Sequence, residues 1–151
     1  AALMALDKKK EMDDNILKAL FEPSPRVNEG MALVESRSVT SMMDISDGLA
    51  LSLHDMSRAG NVGFKIYEER LPVQPGVRKL LKGSELQRAA IFSGGDFELL
   101  FTVAPDKLAE AKKVCRFTVI GEVTEDAVLI ERGGRLEEIE AQGYEHFKKL
   151  G

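Results

Sequence analysis

The sequence predicts an α+β fold in which a mixed β-sheet is covered by helices, and three observations lead there. Stretches of alternating apolar residues interleave with stretches of helical spacing along the 151 residues, without repeats or low-complexity tracts. Hydrophobic residues make up 44% and charged residues 30%, a balance that supports a packed core rather than disorder. Turn signals built from Gly and Pro separate the two kinds of stretch at short intervals.

Taken in order, Leu3, Met4, Leu6, Met12, Ile16, Leu17, Leu20 and Phe21 recur at spacings of three and four and predict a lead-in helix within residues 1–22. Pro23-Ser24-Pro25-Arg26 enforces an extended connection, because a residue before proline is pushed out of the helical region. The apolar segment 31–34 reads as a short helix. Residues 39–45 read as a strand running into Asp47-Gly48. Leu49, Leu51, Leu53, Met56 and Ala59 suit a helix that Gly60-Asn61 closes. Residues 62–67 alternate like a strand, and Leu71-Pro72 and Pro75-Gly76 break the chain after it.

Short helices at 77–81 and 85–92 are split by Gly83-Ser84. After Gly94-Gly95, residues 97–103 are the most strand-like in the sequence. Pro105 starts a helix to about Val114, as proline favours first turns. Strands at 117–123 and 127–131 follow, Gly133-Gly134 turns the chain, 135–139 completes a hairpin, and a short helix lies near Glu145. The chain opens on Ala1 inside a helical pattern, which reads as a single domain, 1–151, cut from a longer protein.

Composition excludes several classes. Lys and Arg number 21 against 25 Asp and Glu, a net charge of −4, and phosphate-backbone binding needs clustered positive charge. Lys8-Lys9-Lys10 is followed by Glu11 and Asp13 and reads as a solvated helix face, so no nucleic acid is expected. One cysteine, Cys115, makes no internal disulfide, and with two histidines it builds no structural zinc site; it reads as a small apolar filler rather than a reactive thiol. No apolar run approaches the roughly 18 residues that span a bilayer. A cytoplasmic protein without membrane partners is the expectation.

Two segments hold residues that packing alone does not call for. In Met43-Asp44-Ile45-Ser46-Asp47-Gly48-Leu49, Asp44 ends an apolar strand and Asp47 follows three residues later at a helix entry. Such a turn can aim both carboxylates at one volume, and Mg²⁺ takes one or two carboxylates together with phosphate oxygens and water. Amides at the helix start add partial positive charge for a phosphate, and Ser46 adds a hydroxyl. The competing reading makes Ser46 or Asp47 a helix cap, which leaves Asp44 unexplained. In Ser93-Gly94-Gly95-Asp96-Phe97-Glu98, paired glycines permit close approach to a ligand with acidic side chains nearby; the competing reading is a solvated turn before a strand. Gly143-Tyr144-Glu145-His146-Phe147 offers aromatics that either stack on a heterocycle or close a core. His54 and His146 receive no role.

These residues resemble a known family. Asp44 to Leu49 is similar to the D-[IV]-S-D-G-L motif of thiamine-monophosphate kinases, and Ser93 to Phe101, SGGDFELLF, is similar to their G-G-E-D-[YF]-E-L-L-F segment. Pro23 to Arg26 resembles the family's P-x-P-R run, and Gly143 to Phe147 its terminal G-[WY]-x-H-F. The four motifs keep their order and span nearly the whole chain. The resemblance implies the carboxy-terminal domain of a two-domain kinase, with the fold of the corresponding domain of aminoimidazole ribonucleotide synthetase. It also implies that an ATP-binding amino-terminal domain is absent here, and that the full-length enzyme is a homodimer.

By position, Asp44 and Asp47 would bind Mg²⁺, Ser46 would contact ATP, and Gly95, Asp96 and Tyr144 would border thiamine monophosphate. Gly95 departs from the family pattern, which has Glu there. The activity implied is in-line transfer of the γ-phosphoryl group of ATP to thiamine monophosphate, giving thiamine diphosphate for thiamine biosynthesis. Such chemistry rests on positioning and charge neutralisation rather than on a general base. Another ATP-dependent enzyme of the superfamily, activating an amide or carbamoyl group, and a non-catalytic binding or oligomerisation domain are the alternatives.

Overall fold

The computed structural model describes residues 14–143, which form six strands and six α-helices. The elements are α1 (Asp14–Phe21), α2 (Val27–Glu35), β1 (Val39–Asp44), α3 (Leu49–Gly60), β2 (Gly63–Tyr67), α4 (Pro75–Leu80), α5 (Gly83–Phe92), β3 (Leu99–Val103), α6 (Leu108–Val114), β4 (Gly121–Thr124), β5 (Val128–Arg132) and β6 (Arg135–Glu138). Short 3₁₀ turns at Glu68–Arg70 and Pro105–Lys107 lead out of β2 and into α6. Of the residues expected to form the lead-in helix, Asp14–Phe21 are helical and 1–13 lie outside the described residues, as does the helix expected near Glu145.

The strands divide between two sheets. β1 and β3 form an antiparallel pair in which Asp44 faces Leu99 and Met43 faces Leu100. The other four lie in the order β4-β2-β5-β6, with β2 parallel to β5 and the remaining pairs antiparallel. The expected mixed sheet covered by helices is present. What single-strand patterning missed is the division, together with the parallel β2–β5 pair, whose partners, such as Phe64 and Val128, are 64 residues apart.

The core sits where α3 crosses the four-stranded sheet. Leu49, Ala50, Leu53 and Met56 recur at the three-to-four spacing that puts them on one helical face, and all are buried. They meet Phe64 and Ile66 of β2, Val128 and Ile130 of β5, and Ile91 of α5. Each fully buried aliphatic side chain here contributes about 1.5–3 kcal/mol. Asn61 ends the helix in the left-handed conformation, φ 50°, its amide bonded to the Ser57 carbonyl. A smaller cluster joins Ile16 of α1 to Val77, Leu81 and Ala89.

α2 covers the two-stranded sheet. Gly30 is buried on its inner face, where an added Cβ would stand 3.5 Å from Leu99 and 3.7 Å from Met42, so the helix lies close to both strands. Its outer face leaves Val27, Met31 and Val34 exposed. Residues 117–120 are not a strand, although their composition predicts one. This stretch crosses between the sheets: Phe117 packs edge-on against Phe101 of β3, with ring centroids 5.1 Å apart, while Tyr67, the last residue of β2, donates its amide to Ile120 O at 2.8 Å. A segment serving two sheets keeps a full ladder with neither. No helix among the described residues is long and apolar enough to cross a membrane.

Candidate active site

The two chemistry-bearing segments lie side by side. Beyond the end of β1, Ile45 N donates to Glu98 O at 2.8 Å, Phe97 N to Ile45 O at 2.9 Å, and Gly95 N to Ser46 O at 2.8 Å. The β1–β3 ladder therefore runs on past both strands into the turn that precedes α3. Phe97 and Glu98 together face the single residue Ile45, which makes this a bulge, and a bulge re-aims the side chains around it.

Phe97 carries the conformational cost, with φ at +50° and the residue 44% exposed. A left-handed non-glycine residue of this kind costs about 1–3 kcal/mol, and such strain gathers at functional sites. Phe97→Gly is accordingly expected to raise unfolding stability by up to about 1 kcal/mol, because glycine occupies this region freely. Urea unfolding of the 151-residue chain checks it, and a clear loss of stability would show that the ring's packing outweighs the strain.

At the turn itself, Asp44, Ser46 and Asp47 are all exposed. Gly48, with φ 108° and ψ 157°, occupies the N-cap position of α3 and supplies no side chain. The capping role considered for Ser46 and Asp47 is therefore not what the helix uses. Among the described residues the carboxylate of neither aspartate takes part in a hydrogen bond or ion pair, so these oxygens are available to a ligand. No group of three or more His, Cys, Asp or Glu side chains among the described residues is arranged to hold a metal ion. Two carboxylates and a hydroxyl suit Mg²⁺, which keeps several waters and takes further oxygens from phosphates.

The other motifs converge on the same place. Arg26 of the Pro-Ser-Pro-Arg run forks onto Glu98, Nε to Oε2 at 2.9 Å and Nη2 to Oε1 at 2.7 Å. Gly143 packs against the turn from the far end of the chain: a Cβ there would stand 2.4 Å from Asp47 O and 2.2 Å from Leu51 Cδ1. His54 Nε2 lies 2.7 Å from Ile139 O and tethers the segment between β6 and Gly143. Tyr144, the next residue, lies outside the described residues, as does His146.

Gly95 sits at φ +84°, a conformation free of strain for glycine and costly for the Glu that the resembling family carries. Asp96 is exposed to solvent as a residue, with protein packed around one side of it. The desolvation this causes, with the nearby charge of Glu98, pushes its pKa above the ordinary carboxylate value. Cys115 is half-buried, and burial pushes its thiol up, in keeping with a packing role. A cleft of about 970 Å³ is lined by Arg26, Gly95, Asp96, Glu98, Thr118 and Ile120 among others, though not by Asp44, Ser46 or Asp47; its size is that of small-molecule sites. The Arg26–Glu98 fork and the His54 tether escaped sequence reasoning. Their partners are 72 and 85 residues apart, and no local pattern links them.

The family described as AIR synthase related protein, C-terminal domain, matches residues 2–132. The chain belongs to that family. It is 41% identical over 125 residues to a protein of Pyrococcus abyssi named thiamine-monophosphate kinase, a match covering 82% of this chain and 38% of the relative. A protein of the same name from Pyrococcus horikoshii is 36% identical over 148 residues, covering 97% and 46%. Among solved structures, ThiL complexed with AMPPCP and TMP superposes with a TM-score of 0.77 at 25% identity, covering 97% of this chain and 47% of that one. The resemblance to thiamine-monophosphate kinases and the fold it implied are thus both met. The chain spans less than half the length of these relatives.

Proposed function

We propose that this chain forms one half of the active site of a magnesium-dependent thiamine-monophosphate kinase, which transfers the γ-phosphoryl group of ATP to thiamine monophosphate. The observation that carries the reading is the pair of exposed, unpartnered carboxylates, Asp44 and Asp47, on a turn spliced by backbone hydrogen bonds to the Gly94–Asp96 segment. The names of the relatives, and the ATP analogue and TMP bound by ThiL, support the same chemistry.

In this reading Asp44 and Asp47 hold Mg²⁺, and Ser46 and the first amides of α3 receive phosphate oxygens of ATP. Bound Mg²⁺ would screen the two anions that must meet when one phosphate attacks another. Gly95 and Asp96 border the acceptor phosphate, and Tyr144 closes on the heterocycle. The cleft beyond them is large enough for thiamine. No side chain is assigned as general base, since an ionised phosphate is already a nucleophile.

The other half of the site belongs to the amino-terminal portion found in the longer relatives, within a cytoplasmic homodimer. The 151-residue chain alone is therefore expected to fold while turning over at less than about 10⁻³ of the full-length rate, because proximity of both substrates depends on both halves. A coupled assay for ADP with thiamine monophosphate as acceptor tests the function. If ADP forms only with a different acceptor, the substrate assignment fails. One observation favours that second reading: Gly95 removes the carboxylate that the family pattern places beside the substrate.

A further inference from the structure

The Pro-Ser-Pro-Arg run is the motif that phosphoryl transfer leaves without a task. Its Arg26 is the N-cap residue of α2, with φ −86° and ψ 38°, and its carbonyl accepts the Gly30 amide at 2.9 Å. Both prolines hold the approach extended, so the guanidinium leaves a fixed backbone. It reaches Glu98 through two parallel bonds, at 2.9 and 2.7 Å, and Glu29 only at 3.5 Å. A fork of this kind fixes direction as well as distance, which a lysine cannot do.

Glu98 is itself the hinge of the splice. Its carbonyl accepts the Ile45 amide, between the two aspartates, and it follows the strained Phe97 in the bulge. The Arg26 and Glu98 side chains keep 36% and 53% of their surface in solvent, so the pair adds little to global stability. Its effect is local.

We propose that Arg26 is a positioning residue: by clamping Glu98 it holds the Gly94–Asp96 segment in register against the Asp44–Asp47 turn. The proposal's geometric part stands on these contacts alone, and its catalytic part rests on the proposed kinase function.

Amide hydrogen exchange by NMR on the 151-residue chain tests the first part. Arg26→Ala is expected to speed exchange at Ile45, Gly95 and Phe97 about tenfold, with the amides of β2 and β5 unchanged. Arg26→Lys should restore only part of the protection. Adding Glu98→Gln to Arg26→Ala should do little more, since the two act through one another. Unchanged exchange at the three amides, or equal acceleration throughout the chain, would overturn the proposal. In the full-length protein, Arg26→Ala is expected to lower kcat about tenfold with KM for ATP within twofold. Wild-type turnover in Arg26→Ala would overturn the catalytic part. Absence of kinase turnover in the unaltered enzyme would instead defeat the proposed function, leaving the exchange result to stand by itself.

Discussion

Asp47→Ala in the full-length protein is expected to lower kcat by about 10²–10³-fold while moving Tm by no more than about 4 °C. The asymmetry follows from where the side chain is. Asp47 is exposed, makes no hydrogen bond or ion pair among the described residues, and does not cap α3, whose N-cap position belongs to Gly48. Removing it takes little from the fold, apart from a carboxylate lying favourably near a helix N-terminus. In the proposed site, removing it takes one of the two carboxylates assigned to Mg²⁺. A helix cap would behave in the opposite way, costing about 1 kcal/mol of stability and no activity. Parallel thermal unfolding and ADP-release assays separate the outcomes, and a large fall in Tm with turnover retained would end the metal-ligand assignment.

Gly48→Ala should fail on both counts. At φ 108° and ψ 157° the backbone occupies a region open almost only to glycine, and an added Cβ would lie 3.1 Å from both C and O of Phe92 and 3.3 Å from Ile91 O. Those atoms are backbone at the end of α5, so they do not swing aside. The expected cost is about 2–4 kcal/mol of unfolding free energy, read by urea denaturation of the 151-residue chain. Because Gly48 directly follows Asp47 and its carbonyl accepts the Ser52 amide, relief of the clash also displaces the turn, and turnover of the full-length protein falls with stability. Wild-type stability in this variant would mean that the turn is looser than its geometry indicates.

Much of this could be read from residue types alone. Strong period signals place β1, α3 and β3 within a residue or two, because each buries one face against a core and its sequence must show that face. Asp44 was legible as costly at the end of an apolar strand, and the Gly-rich segment as a place where backbone comes close to something. What the sequence did not carry is any contact whose two sides are far apart in the chain. The splice between Ser46 and Gly95, the Arg26–Glu98 fork and the seat of Gly143 on Asp47 are tertiary contacts, and each side alone looks like a turn or a solvated charge. Residues 117–120 misled for the same reason: their composition suits a strand, and only the separation of the two sheets denies them a partner.

The proposed function depends on a divalent ion bound at the Asp44–Asp47 turn. Mn²⁺ substituted for Mg²⁺, with AMPPCP bound to the full-length protein, broadens NMR signals within reach of the ion. The account predicts broadening centred on residues 44–48 and 94–96, abolished in Asp44→Asn/Asp47→Asn. Broadening centred elsewhere, or unchanged in that double variant, would contradict it.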